Sequence, residues 1–110
     1  MAWTFTKVSY DPASRVAVYT ATTNTNSAAG TISCGFVLDV VDVYDSTNAS
    51  HFHWNKGIAD AKCFKHVTAG TLSFEASNGI TPVSTTAAQG VTLGTALHTN
   101  SSTYSIVLQG

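Results

Sequence analysis

Charge is scarce in this chain of 110 residues: five Lys and Arg stand against six Asp and Glu, a charged fraction of 10% and a formal net charge of −1. Five cations cannot build the basic surface that nucleic acid or an anionic membrane requires, so both are expected to be absent as partners. Cysteine is nearly as rare. Cys34 and Cys63 permit one disulfide at most, show no CxxC or Cys/His zinc spacing, and lie in apolar or alternating segments, which favours two buried free thiols. No run approaches the roughly 18 apolar residues of a membrane span. The opening "MAWTFTKVSYDP" lacks a basic stretch followed by an apolar one, so no export signal is expected. The serines lie in turns without a G-x-S-x-G elbow. Cys63 and His66, three apart on an extended segment, point to opposite faces, so nucleophilic catalysis is not expected.

Hydroxyls take the place of charge. Thr (17) and Ser (12) make 29 residues, and β-branched side chains with hydroxyls suit a pleated, half-solvated sheet. A hydrophobic fraction of 44% in a chain this short supports one core, hence a single β-domain over residues 1–110. A surface so weakly charged repels neighbours poorly, which hints at shelter in an assembly.

Period-two alternation places the strands. "WTFTKVSY" and "RVAVYTATT", joined at "DPAS", read as a first hairpin over residues 3–25, followed by a small-residue loop, "NTNSAAG". In "TISCGFVLDVVDVYDST" the stretch Gly35 to Val41 could pass for a short helix. From Leu38 onward it alternates as a strand with acids on both faces, a pattern expected where a strand leaves the core or runs along an edge. Asp39, Asp42 and Asp45 lack the calcium-loop pattern and are expected to be structural. "TLSFEA" alternates, "SNG" signals a hairpin turn, Pro82 suits an edge strand or loop, "AAQGVTLGTALHTNSS" reads as a loop with one short strand or helical turn, and "TYSIVLQG" is a terminal strand.

The segment "HFHWNKGIADAKCFKH", residues 51–66, holds three of the four histidines. Its two alternating runs around Gly57 predict a hairpin with Phe52 and Trp54 inward. His51 and His53 have a zinc spacing, and His66 could supply a third nitrogen. No carboxylate on that face clearly completes the sphere, Asp60 and Glu75 being the nearest candidates with positions that the sequence leaves unconstrained, so the imidazoles are expected to face solvent or a partner and no metal is assigned. The expected core is Trp3, Phe5, Phe36, Leu38, Phe52, Trp54, Phe64, Phe74 and Ile106. Six to eight short strands with no amphipathic stretch long enough for a helix imply an all-β antiparallel sandwich or small barrel.

The order of segments, from the Thr/Val hairpin through the Gly/Ala/Ser bridge, "LDVVDVY", the aromatic hairpin and "YSIVLQG", resembles the capsid decoration or cement proteins of tailed bacteriophages. That resemblance implies a non-enzymatic protein of the virion. It would sit on the outer capsid surface, often as a trimer at local threefold positions, bind the major capsid protein and reinforce the head against genome pressure. It carries over no catalytic residue and no cofactor. Residues 1–10 and the loop 23–30 are the expected contact segments. The rival expectation is a carbohydrate-binding β-sandwich whose platform is Tyr44, His53 and Trp54. A third is a zinc enzyme using His51, His53 and His66.

Overall fold

The computed structural model describes residues 2–67, 70–85 and 88–110; parts of the expected N-terminal contact segment (residue 1), of the Pro82 segment (86) and of the glycine-bearing loop after it (87) lie outside them. The described residues form nine antiparallel strands: β1 (Trp3–Asp11), β2 (Val16–Thr23), β3 (Gly30–Ser33), β4 (Val40–Asp45), β5 (Ser50–Asn55), β6 (Lys62–His66), β7 (Leu72–Val83), β8 (Gly90–Leu93) and β9 (Thr103–Gln109). Their spatial order is β1-β2-β9-β4-β5-β6-β7-β8-β3, one sheet nearly closed into a barrel. The only helical element among the described residues is a 3-10 turn, Thr95–Leu97.

The first hairpin forms as its sequence predicts. Asp11 accepts the backbone N–H groups of Ala13 and Ser14, and Arg15 closes the turn in the left-handed region at φ 56. Those N–H bonds hold the exposed Asp11 carboxyl below its usual range. Strand β9 docks between β2 and β4, so the C-terminal alternation Tyr104, Ile106, Leu108 faces the middle of the core. Trp3, Phe36, Leu38, Val41, Val43, Phe52, Trp54, Ile80 and Ile106 are buried, each large side chain contributing about 1.5–3 kcal/mol by leaving water.

Three expectations need correction. Strand β4 is not an edge: it lies between β9 and β5 with Val41 and Val43 inward, and its acids are tolerated because each meets donors. Asp45 is 1% exposed and accepts hydrogen bonds from the Asn48 backbone N–H (3.1 Å), Asn48 Nδ2 (2.9 Å) and Thr99 Oγ1 (2.7 Å). Beside it the Tyr104 hydroxyl donates to the Leu97 carbonyl and accepts the Thr99 N–H, which ties off this end of the barrel. Burial pushes the Tyr104 phenol above its ordinary value. The stretch Gly35 to Val41 is not helical; Gly35, at φ 87, bends the chain from β3 toward β4.

"SNG" does not make a hairpin turn. Residues 72–75 pair with β6 and residues 80–83 pair with β8, so the intervening four bulge out of a continuous β7. Asn78 takes φ 56, which asparagine tolerates, and the Lys62 ammonium donates to the Ala76 carbonyl across the bulge. Pro82 follows where β7 is paired only with β8, so its missing N–H breaks no second ladder.

Strands β1 and β3 face each other across the remaining seam. The Trp3 indole donates to the Ala28 carbonyl (2.9 Å) and lies over Gly30, where a Cβ would come within 2.7 Å of Trp3 Cδ1. Only glycine leaves that space. Phe5, partly buried, stacks on Trp3 with ring centres 5.5 Å apart.

Candidate functional site

Register across β4, β5, β6 and β7 gathers one set of outward side chains into two rows. Tyr44 pairs with His51, His51 with His66, and His66 with Leu72; Asp42 pairs with His53, His53 with Phe64, and Phe64 with Phe74. Directly paired residues project from the same side of a sheet, and the alternate residues Val41, Val43, Phe52, Trp54 and Cys63 are buried. Four of the six exposed large apolar side chains among the described residues, Tyr44, Phe64, Leu72 and Phe74, belong to these rows. Phe64 and Phe74 meet edge to face at 5.0 Å between ring centres. They are therefore not core residues. Phe64 alternates with Cys63, and Cys63 is the one inside, fully buried.

The polar corner of this face is built on Asp42. One carboxylate oxygen, Oδ1, accepts from His51 Nε2 at 2.9 Å and from His53 Nδ1 at 2.7 Å. The three side chains are half-buried, at 19% exposure for Asp42, 28% for His51 and 33% for His53. The His51 ring lies parallel to Tyr44 at 4.4 Å on one side and to His66 at 6.0 Å on the other. Asn55 Nδ2 donates to His53 Nε2 at 3.0 Å while Asn55 Oδ1 accepts the Gly57 N–H at 2.8 Å. That fixes the His53 proton on Nδ1, facing the carboxylate.

The aromatic hairpin is where alternation placed it, with Phe52 and Trp54 inward and the imidazoles outward. Its partners differ from expectation. His66 stacks on His51 instead of aiming a nitrogen at the same point, and neither Asp60 nor Glu75 joins the cluster. The acid that does, Asp42, comes from the neighbouring strand; the turn Asp45–Ser50, with Asn48 bonded back to Asp45, sets the register that brings it opposite His53. Trp54 is 2% exposed, so the platform of Tyr44, His53 and Trp54 does not exist; only the first two face outward.

Cys34 and Cys63 are both buried free thiols. Burial, with the negative charge of Glu75 second, pushes Cys63 up to about 11, far from a nucleophile's range. The two expected contact segments lie side by side at the seam, where Ala2, Trp3 and Phe5 face Ala29, Gly30 and Thr31 across a cleft of about 370 Å³. No helix among the described residues is long and apolar enough to cross a membrane. Comparison with family models, with curated proteins and with solved structures gives no match in any of the three.

Proposed function

We propose that this chain is a non-enzymatic structural protein of a tailed-bacteriophage head, a decoration protein bound to the outer surface of the major capsid protein lattice as a homo-oligomer, expected to be a trimer. The observation that carries the reading is the outward array of Tyr44, Phe64, Leu72 and Phe74 on β4, β6 and β7. Phe64, Phe74 and Leu72 adjoin on β6 and β7, and an exposed apolar patch on a chain with a net charge of −1 has little to keep it apart from a partner and marks an interaction surface. Cementing asks for several modest contacts made at once across neighbouring capsid subunits, so that avidity replaces any single strong bond. The β1 and β3 edges, each paired on one side only, offer strand addition as a second mode of attachment.

Purified chain would be tested for its mass by light scattering and for saturable co-sedimentation with the phage heads it is proposed to decorate. Trimers, or binding that the double variant Phe64→Ser/Phe74→Ser abolishes while its far-ultraviolet dichroism is unchanged, support the reading. A monomer with no affinity for heads sinks it, and retention on a polysaccharide resin would move the protein to the carbohydrate-binding class.

A further inference from the structure

We propose that Asp42, His51 and His53 form a binding site for a divalent transition-metal ion of the zinc class, independent of any role in a phage head. Their ligand atoms all lie within 4.8 Å of one another, and two imidazole nitrogens converge on a single carboxylate oxygen. Two nitrogens and one oxygen are the donor set that borderline cations such as Zn²⁺ and Co²⁺ accept, and three protein ligands leave a coordination position for water or for a group on a partner. Little movement is needed. With metal–ligand bonds of about 2.0–2.1 Å, tetrahedral ligand atoms stand about 3.3 Å apart. The present separations of 2.9 and 2.7 Å would therefore open by roughly half an ångström. The ring of His51 is already held between Tyr44 and His66, and the ligands project from paired strands, which limits the entropy lost on closing the site.

Protons decide how tightly the site closes. For each neutral imidazole to bind through the nitrogen that faces Asp42, its proton must sit on the other ring nitrogen. At His53 that other nitrogen, Nε2, meets the amide Nδ2 of Asn55, itself a donor. Asn55 must then turn its amide so that Oδ1 accepts from Nε2, and the Gly57 N–H passes to water. A carboxylate at this position would accept from both at once, the arrangement that orients metal-bound histidines elsewhere. Asn55→Asp therefore tightens binding, and this response separates a metal site from a mere hydrogen-bonded cluster.

The test is titration of the untagged chain with Zn²⁺ by calorimetry and with Co²⁺ by visible absorption, with far-ultraviolet dichroism as the check on folding. One ion per chain is expected, with a tetrahedral cobalt spectrum. Asp42→Asn and His51→Ala should remove both signals, His66→Ala should keep them, and Asn55→Asp should tighten zinc about tenfold, at the low end of the effect of groups that orient a ligand. Failure of the folded chain to take up stoichiometric metal overturns the proposal. So does uptake that survives Asp42→Asn and His51→Ala, or an Asn55→Asp variant that binds more weakly.

Discussion

Asp45 offers the sharpest test of how this barrel is held closed. Asp45→Ala deletes the acceptor of three hydrogen bonds, those from the Asn48 N–H, Asn48 Nδ2 and Thr99 Oγ1, at a position 1% exposed to solvent. A hydrogen bond to a charged group is worth about 1.5–3 kcal/mol, and a donor left buried without a partner carries its own penalty. The two bonds from Asn48, beside solvent, can be partly replaced by water at about 1 kcal/mol each, while the Thr99 bond at 2.7 Å, whose hydroxyl also reaches Ser102 and Tyr104, keeps about 1.5 kcal/mol. The sum is about 3–4 kcal/mol, a large part of the 5–15 kcal/mol that stabilises a typical domain. For a chain of this length it should lower the thermal midpoint by roughly 12–16 °C. Asp45→Asn keeps one accepting oxygen and should lose about half as much. The assay is urea unfolding followed by tryptophan emission, with calorimetry for the midpoint. A loss under about 1 kcal/mol for Asp45→Ala would show that water enters this end of the barrel freely, and the reasoning would fail.

Cys63, pushed up from 9.0 to about 11, should resist iodoacetamide at pH 8 until denaturant is added, because only about one thiol in a thousand is ionised there; rapid labelling of folded protein would refute its burial. The same shift stabilises the fold fully below pH 9, and that stability should fade as pH rises through about 11, where the folded thiol also ionises, readable as a falling urea midpoint. Neither ring nitrogen of His98 has a hydrogen-bond partner among the described residues, while its ring meets the Trp3 edge at 5.6 Å. His98→Leu should therefore raise stability by about 1 kcal/mol, and a comparable loss on unfolding would contradict this account. Gly90→Ala would place a Cβ 1.9 Å from the Ile32 carbonyl oxygen, between two paired strands, and should cost more than about 3 kcal/mol or abolish soluble expression; a variant with near-native urea stability would show that β8 can shift.

Alternation in the chain was enough to find both main hairpins, because a strand with one buried face repeats every two residues and turns such as Asp11–Arg15 carry their own signals. It tells which residues share a face, not which face is inside. Phe64 and Phe74 are larger than Cys63, so size argues for burying them, yet the register with β5 places Cys63 on the side of Phe52 and Trp54. "SNG", residues 77–79, signals a turn because Asn-Gly tolerates positive φ in a bulge as well as in a hairpin, and only the choice of partner strands separates the two. His51 and His53 were legible from their spacing alone. Their acid was not, since Asp42 is nine residues before His51 and meets it only through the pairing of β4 with β5. A signal was present all the same: a turn at Asp45–Ser50 with Asn48 capping it fixes Asp42 opposite His53 by simple counting.

The two tryptophans occupy different places in the barrel, Trp3 over Gly30 where β1 and β3 approach and Trp54 inside β5 with its indole directed to the Ala59 carbonyl. Emission from Trp54→Phe protein consequently reports the slit alone, and Trp3→Phe protein reports the opposite wall. Acrylamide quenching of each in turn distinguishes a barrel that breathes along one line from one that loosens all round, without any label being attached.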